Sequence, residues 1–476
     1  MDLLSLSGSE LAKCIRRGEV SSQEVIEAHI NQALLINPKI NAIVIDRFEV
    51  ARSEAKRADQ LTKQLAPDQL PIFHGVPCTI KECFALTGMP QTGGLVSRKN
   101  AIASHDATTV ARLRKAGLIP LGVTNVPELC LWSETYNYVY GRTNNAYNAT
   151  RTAGGSSGGE AAIIAAGASP FGLGSDVAGS LRLPALFNGI FSHKPTHGLV
   201  PNSGHFPLHK GKMERFNCIG PLARHAEDLF PLLTILKGPD GQDPFCMEQS
   251  LNNPANIDIS QLKVINVESN DIISVSDDLA EAQKRALLHL ASLGATCKTV
   301  NLEKLKYSFE IFMHSFAKSG GFSLKTALGN GAKINLYFEL LKFIFRQSDH
   351  IFPLLCLALK EALYTNRVDS KFVRMGIELR QELEDMLGDN GVLLFPSYTK
   401  PAPKHQAMLF LINHWTYVAI FNVLKLPVTQ VPLGLNTEGL PLGVQVATLP
   451  CNDHLSLAVA LELEKKFGGW VPPNFM

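Results

Sequence analysis

The stretch AGGSSGGEAAIIAAGASPFGLGSDVAGSLRLPA, from Ala153 to Ala185, carries two serine-bearing glycine clusters. Glycine removes the steric barrier to positive φ and lets backbone amides approach a ligand closely. The residues between the clusters predict a short helix followed by a strand. A serine in such a permissive backbone can expose its hydroxyl in a sharp turn, so Ser156, Ser157 and Ser180 are candidate reactive groups.

The segments on both sides of this stretch predict alternating strands and helices. A capping box at Ser21 to Glu24 begins a helix that the pair Asn37-Pro38 is expected to end. Buried strands are predicted at Val76 to Ile80, just before Lys81, and in the runs LIPLGV, LKVINV, GVLLFP, LPVTQVPL and GVQVA; helices are predicted at Thr108 to Ala116, Ser276 to Leu293 and His454 to Phe467.

This alternation predicts an α/β protein with one large layered domain and a largely parallel or mixed sheet. Hydrophobic residues make up 45% of the chain and charged residues 18%, so a large core can be buried. No repeat, low-complexity tract or linker interrupts the sequence, and we therefore expect the domain to span residues 1–476.

The charge balance and the cysteines exclude several classes of protein. The net charge is +2, from 45 basic and 43 acidic residues, which gives no reason to expect nucleic acid as a partner. The nine cysteines include no CxxC pair, which is typical of reduced thiols in an intracellular protein. No HExxH motif or cluster of ligands occurs, so neither a metal nor a cofactor is predicted.

The amino terminus has no basic region followed by a long apolar run, and no window reaches the ~18 consecutive apolar residues that a membrane span needs. We therefore expect neither a signal peptide nor a transmembrane helix. The expected location is cytoplasmic, or peripheral on a membrane or lipid-droplet surface.

Three chemical interpretations of the serine region compete with a plain glycine-rich surface turn. A phosphate-binding loop needs a lysine directly after the glycines, and none is present. Gly155 to Gly159 matches the GxSxG elbow of α/β-hydrolases with Ser157 at its centre, but the preceding YNATRTAG is not the apolar strand that such an elbow follows. The third interpretation pairs a serine with a lysine base, because a serine hydroxyl needs a base near neutral pH.

Long segments of the chain bear out this third interpretation by resemblance. GGSSGGEAAIIAAGASPFGLGSDVAGSLRLPALFNGIFSHKPTHG resembles the signature segment of the amidase signature family, GVPCTIKECF its lysine segment and LPLGVQVAT its carboxy-terminal strand pair. The resemblance is sharpest to the fatty-acid amide hydrolase branch, particularly its second vertebrate form, in YGRTNNAYN, LFNGIFSHKPTHGLVPN and NDHLSLAVALELEKKFGGWV. It implies a single large α/β domain in which a twisted mixed central β-sheet is covered by helices on both faces, with a catalytic signature core at about residues 75–200.

The resemblance also implies roles for individual residues. Ser180 would be the nucleophile, Ser156 a bridging serine after a cis peptide bond, and Lys81 the base. Burial disfavours the charged form of a lysine, so a buried Lys81 is expected to take a proton that Ser156 relays from Ser180 and to return it to the leaving amine. Ser157 would be a supporting hydrogen-bond partner. Asp176 and Arg182 flank the nucleophile and are expected to pair.

By the same resemblance, an oxyanion hole would form from backbone N–H groups of four consecutive residues: Val177, Ala178, Gly179 and Ser180. The family motif usually reads Gly-Gly-Ser, and Ala178 replaces its first glycine. If a positive φ is required there, the alanine would be strained by ~1 kcal/mol. Cys130 aligns with a position whose backbone carbonyl contacts ligand in the fatty-acid amide hydrolase branch, and its thiol is expected to pack.

The apolar segment INLYFELLKFIFRQSDHIFPLLCLALKEAL, at about residues 334–363, predicts two short helices split near Asp349 and Pro353. Such helices could belong to the core. By resemblance they would instead form a hydrophobic cap over an acyl channel and lie in a membrane interface, with Lys342 and Arg346 near the headgroups. The branch usually carries an amino-terminal transmembrane helix, and this chain starts after the place where that helix would end, so we expect peripheral contact.

Together these features predict a serine hydrolase that cleaves fatty-acid amides, such as N-acylethanolamines and primary fatty amides, to a fatty acid and an amine through an acyl-enzyme on Ser180. Two alternatives remain open at this point. One is an amidase of small or aminoacyl amides that resembles a transamidation subunit. The other is a lipid-binding pseudoenzyme, which only Ala178 favours. Association as a homodimer is a further expectation.

Overall fold

The computed structural model describes residues 1–207, 216–320, 323–364, 368–411 and 413–474. The strands are β1 (Ile43–Asp46), β2 (Pro77–Lys81), β3 (Ile119–Thr124), β4 (Tyr136–Asn137), β5 (Gly141–Arg142), β6 (Phe171–Asp176), β7 (Phe191–Lys194), β8 (Cys218–Ala223), β9 (Lys263–Asn266), β10 (Thr296–Thr299), β11 (Gly391–Phe395), β12 (Val428–Leu435) and β13 (Pro441–Ala447).

The helices interleave with these strands, as the sequence predicts. They are α1 (Gly8–Arg16), α2 (Ser22–Ile40), α3 (Phe48–Gln64), α4 (Thr108–Lys115), α5 (Gly158–Ala165), α6 (Arg182–Phe187), α7 (Leu229–Leu236), α8 (Asp277–Ser292), α9 (Ser308–Ser319), α10 (Leu324–Leu328), α11 (Leu336–Ile344), α12 (Phe352–Tyr364), α13 (Ser370–Leu387), α14 (Thr416–Val423) and α15 (Asp453–Phe467).

The structure of α2 confirms the predicted start of this helix and corrects its predicted end. Ser21 and Glu24 form the predicted capping box. The prediction that Asn37-Pro38 ends the helix is wrong, because the helix continues to Ile40. Asn37 makes this extension stable: its carbonyl accepts from the N–H of the C-cap residue at 2.7 Å, and its side-chain oxygen accepts from the next two backbone N–H groups at 2.8 and 2.9 Å.

Within the described residues, eleven strands form one mixed sheet in the order β1-β3-β2-β6-β8-β7-β12-β13-β11-β9-β10. The strand β2 runs parallel to both of its neighbours, β3 and β6, whereas β8, β7, β12 and β13 are antiparallel to theirs. Every residue of β2, β3, β6, β8 and β13 is buried. Since successive strand residues point to opposite faces, helices cover both faces of the sheet, and the predicted fold is confirmed.

Helix α5 is buried along its whole length and packs against the strands that carry the serine region. It approaches β3 closely at Gly159, where a Cβ atom would lie only 2.4 Å from the backbone nitrogen of Asn125. Only glycine fits this contact. The glycines that follow Ser157 therefore allow close packing of a helix on the sheet, in addition to any role in chemistry.

The predicted apolar segment forms two helices, α11 and α12, with a break at residues 345–351. They share a small hydrophobic cluster with α10 that includes Leu129, Leu336, Ile351 and Leu354. Across the residues described, each helix is too short or too polar to traverse a bilayer.

Helix α5 also supplies a buried carboxyl group at Glu160. Its two oxygens accept hydrogen bonds from the hydroxyls of Thr79, on β2, and Thr124, on β3, each at 2.5 Å. Burial raises the pKa of Glu160 to about 7, and the two threonine hydroxyls offset part of that effect. The group therefore ties the helix to two neighbouring strands while holding a proton under mildly acidic conditions.

The raised pKa of Glu160 predicts a pH dependence of stability. A carboxyl whose pKa is higher in the folded than in the unfolded chain loses folding stability as the pH rises from the unfolded value of about 4.3 to the folded value of about 7. Glu160→Gln has no such proton to lose. Between pH 5 and pH 8, its free energy of unfolding relative to the wild type should therefore shift in its favour, by roughly 2 to 3 kcal/mol. Urea titrations of both proteins would measure this, and parallel pH curves would contradict it.

Candidate active site

Three elements bring the predicted site residues together: the end of β2, the loop before α5 and the end of β6. Lys81 is the last residue of β2 and is fully buried. Its Nζ atom forms hydrogen bonds to Ser156 Oγ at 2.8 Å, Ser175 Oγ at 2.9 Å and the Ser175 carbonyl at 3.4 Å. All three partners are neutral oxygens, and the amine has no ion-pair partner among the described residues.

The two glycine clusters lie side by side. The peptide bond between Gly155 and Ser156 is cis, as the resemblance implies. The backbone N–H of Ser157 donates to the carbonyl of Ser180 at 3.3 Å, and its hydroxyl donates to the Ser175 carbonyl at 3.4 Å. Ser157 thus has the geometry of the supporting hydrogen-bond partner that the sequence predicts.

The turn that carries Ser180 is held by a buried ion pair. Arg182 donates to Asp176 from Nε and from Nη2, both at 3.1 Å, which is the pairing expected from the sequence. Asp176 also accepts from the backbone N–H groups of Gly179 and Leu181 at 2.7 and 3.0 Å. Burial alone would raise the pKa of Asp176, but the Arg182 guanidinium and these hydrogen bonds hold it well below its usual range. The carboxylate therefore stays charged and fixes the turn.

Within this turn, the glycine that the backbone requires is Gly179, which has φ +105° and where a Cβ would lie 2.1 Å from a methyl group of Val418. Ala178 is not among the residues with positive φ. The strain considered for an alanine at this position therefore does not arise, and the departure from the Gly-Gly-Ser motif costs nothing in backbone energy.

The backbone N–H groups of the predicted oxyanion hole differ in their availability. The Gly179 N–H is already engaged by Asp176, contrary to the sequence expectation of four free donors. The N–H groups of Val177, Ala178 and Ser180 have no acceptor within the described residues. Ser180 is partly exposed, and its hydroxyl makes no hydrogen bond to any of the described residues.

Two residues of this network were missed by the sequence analysis. Ser175, the penultimate residue of β6, contacts the Lys81 amine, and the Nε2 atom of His205 lies 2.9 Å from the Ser175 hydroxyl. A signal for Ser175 existed, since the run GLGSD forms a strand that leads directly to Ser180. No local signal marks His205, which the tertiary structure alone brings to the site.

Cys130, predicted to contact ligand through its carbonyl, lies in a turn where both it and Leu129 have positive φ. The Cys130 thiol lies near the buried thiol of Cys83, whose pKa is raised by burial. Leu129 and His205 line a cavity of about 880 Å³ whose other walls include Ala85, Arg98, Asn202 and Phe206. The structure therefore places Cys130 beside this cavity, with its thiol in a packing role.

Two buried carboxyl groups lie near Lys81 without pairing with it. Glu82 accepts from Thr92, Gly93 and Tyr140, and burial raises its pKa to about 7. Glu160 is satisfied by its two threonines, as described above. In the parts of the chain that the structure describes, no three His, Cys, Asp or Glu side chains are grouped so that they could hold a metal ion.

Comparison with known protein families assigns the chain to one of them. The family model described as Amidase matches residues 24–457. The chain belongs to the amidase family. As a member it is an enzyme of the hydrolase class, and its buried lysine and two glycine-serine clusters lie within the matched range.

Two curated relatives of this amidase match nearly its entire length. Fatty-acid amide hydrolase 2-B of Danio rerio is 45% identical over 99% of this chain and 91% of its own length, and fatty-acid amide hydrolase 2 of Homo sapiens is 45% identical over the same shares. A solved structure of a fatty acid amide hydrolase has a TM-score of 0.79 at 22% identity and covers 99% of this chain and 86% of its own, which confirms the fold.

The ion pair of this amidase predicts a large effect of removing one partner. Arg182→Met would leave the Asp176 carboxylate buried without its main counter-charge, which typically costs about 3 to 5 kcal/mol. Urea unfolding would measure the loss. Adding Asp176→Asn to Arg182→Met should recover part of it, because the unpaired charge is then removed. A double variant no more stable than Arg182→Met would contradict this account.

Proposed function

We propose that this amidase hydrolyses fatty-acid amides, with Ser180 as nucleophile, Ser156 as proton relay and Lys81 as base. One observation carries the proposal: the Lys81 amine is fully buried and lies 2.8 Å from Ser156 Oγ, in a loop whose next residue is bonded to the Ser180 backbone. The substrate class is supported by the two relatives at 45% identity, whose names state fatty-acid amide hydrolysis.

In the first half of the reaction, the Ser180 oxygen attacks the amide carbonyl. Its proton passes to Ser156 as the Ser156 proton passes to Lys81. A relay is needed because Lys81 hydrogen bonds to Ser156 and Ser175 but not to Ser180. Lys81 then returns the proton through Ser156 to the departing nitrogen, which leaves as a neutral amine. The acyl group stays on Ser180 as an ester.

In the second half, water replaces the amine. The Lys81 amine accepts a proton from the attacking water through Ser156. It returns this proton through Ser156 to the Ser180 oxygen as the tetrahedral intermediate collapses, which releases the fatty acid and regenerates the Ser180 hydroxyl. The same two hydroxyls and one amine thus serve both steps, and water is the only further reactant.

Negative charge develops on the carbonyl oxygen in both steps. Three backbone N–H groups are suited to stabilise it, because they have no acceptor among the described residues: those of Val177, Ala178 and Ser180. The N–H of Gly179 is committed to Asp176 and instead fixes the shape of the turn. The proposed oxyanion hole is therefore smaller by one donor than the sequence expectation.

Activity-based labelling tests this assignment directly. A fluorophosphonate should modify Ser180, because that serine is the activated hydroxyl, and peptide mapping should locate the adduct there. Ser180→Ala should abolish labelling and turnover of a long-chain primary fatty amide. Lys81→Ala, with Ser180 intact, should lower both by about 100-fold or more while the protein stays folded by circular dichroism.

An adduct on another residue, or full turnover by Ser180→Ala, would refute the assignment of Ser180 as the nucleophile. A series of amides with increasing acyl length tests the substrate class separately. Higher kcat/KM for short polar amides than for long acyl chains would favour the small-amide alternative. Lipid binding without turnover in the wild type would favour the pseudoenzyme.

A second part of the proposal concerns where the enzyme meets its substrate. The outer face of α11 is apolar and exposed: Tyr337 is 80% exposed, Ile344 73% and the adjoining Phe345 65%, with Phe338 and Leu341 between them. Lys342 lies on the same helix, with Nζ 4.9 Å from the Phe338 ring. Apolar side chains next to a basic residue suit a helix that lies in a lipid headgroup region. We therefore place α11 and α12 as a cap that contacts a membrane or lipid-droplet surface peripherally.

Vesicle sedimentation tests the contact. Ile344→Asp should weaken binding to phospholipid vesicles by about tenfold or more, since it places a charge where the apolar face would enter the interface. Leu35→Asp is the matched control, because Leu35 is 66% exposed on α2, away from the cap, and its substitution should leave binding unchanged. Equal vesicle binding by the wild type and Ile344→Asp would contradict the proposed membrane contact of α11.

A further inference from the structure

We infer that Ser175 and His205 are positioning residues that aim the lone pair of Lys81 at Ser156; this inference rests on the proposed function. The two residues form a buried chain that ends at the amine. Ser175 Oγ lies 2.9 Å from Lys81 Nζ and 2.9 Å from His205 Nε2. His205 is nearly fully buried and forms part of the wall of the 880 Å³ cavity.

The contacts of His205 assign its tautomer. Its Nδ1 atom lies 3.3 Å from the carbonyl oxygen of Pro207, which can only accept a hydrogen bond, so Nδ1 carries a proton. In a neutral imidazole, Nε2 is then an acceptor. Cys83 agrees with this assignment: burial raises the pKa of its thiol, so the thiol stays protonated, and its Sγ at 3.3 Å faces a lone pair on Nε2 better than it would face an N–H. The Ser175 hydroxyl, at 2.9 Å, is the nearer donor to that lone pair.

The tautomer determines the direction of the Ser175 hydroxyl. A hydroxyl has one proton to donate and two lone pairs to accept with. If Nε2 accepts the Ser175 proton, only lone pairs of Ser175 Oγ face the Lys81 amine. Ser175 must then accept a hydrogen bond from Lys81 and cannot donate one to it.

The contacts of Lys81 then match an uncharged amine, which has two N–H groups and one lone pair. One N–H donates to Ser175 Oγ at 2.9 Å and the other to the Ser175 carbonyl at 3.4 Å. The lone pair is left for Ser156, whose Oγ is 2.8 Å away and whose proton the mechanism transfers. Without His205, the Ser175 hydroxyl is free to rotate and occupy that lone pair in competition with Ser156.

Four variants test the inference against a mere packing role. His205→Leu should lower kcat for a long-chain primary fatty amide by about tenfold or more while KM changes less than about twofold, because the substitution misdirects proton transfer and keeps a side chain of similar bulk in the cavity wall. His205→Gln keeps an amide oxygen that can accept the Ser175 proton and should restore most of kcat. Ser175→Ala should lose at least as much as His205→Leu, and the double variant should be no slower than Ser175→Ala alone.

His29→Leu is the matched control, since His29 is a fully buried histidine on α2 whose ring, within the described residues, hydrogen bonds to the Val25 carbonyl of its own helix, and the kcat of this variant should equal that of the wild type. The inference is overturned if His205→Leu keeps wild-type kcat, if Gln restores nothing, or if the Ser175 and His205 losses multiply. Failure of the proposed function gives a different pattern: no fluorophosphonate adduct on wild-type Ser180, or full activity in Lys81→Ala.

Discussion

The burial of one lysine amine among neutral oxygens is the constraint on which the rest of the structure depends. Lys81 reaches this position because β2 ends between two parallel neighbours, β3 and β6, and all of its residues are buried. An ammonium group in such a place would lose its hydration without gaining a counter-charge, whereas an amine can be satisfied by hydroxyl and carbonyl partners. Ser156 and Ser175 supply these partners from two different elements, so the loop before α5 and the end of β6 must both be held in register with β2.

Close backbone packing provides that register. The first glycine cluster packs directly against the backbone of other segments. A Cβ at Gly155 would lie 2.3 Å from the Trp132 carbonyl oxygen, and one at Gly159 would clash with the backbone at Asn125. The second cluster has a similar requirement at Gly179, against Val418. These glycines fix how near the serines come to the lysine. The glycines therefore matter for the short distances between backbone segments that they permit, as well as for the backbone freedom that the sequence pattern suggests.

Charge is used in two opposite ways within a few residues. Asp176 and Arg182 are both fully buried and fully charged, and each is satisfied by the other and by further partners such as Asn422. Such a pair holds geometry and is not suited to exchange protons. Among the residues that the structure describes, the amine of Lys81 and the hydroxyls around it have no ion-pair partner, which leaves them able to pass a proton. The rigid pair shapes the turn of Ser180, and the neutral network performs the proposed chemistry.

The sequence by itself determined the elements and the order of the site residues, because helix caps, apolar periodicity and glycine clusters act over a few neighbouring positions. It located Lys81 at a strand end, α5 and β6 between the serine clusters, and two short helices in the apolar segment. Only the tertiary structure decided that α2 continues past Pro38, that the Gly179 N–H is taken by Asp176, and that His205 stands behind Ser175. Each of these depends on a hydrogen-bond partner supplied by the folded backbone or by another element, and no local pattern of residues records which donor meets which acceptor after the chain has folded.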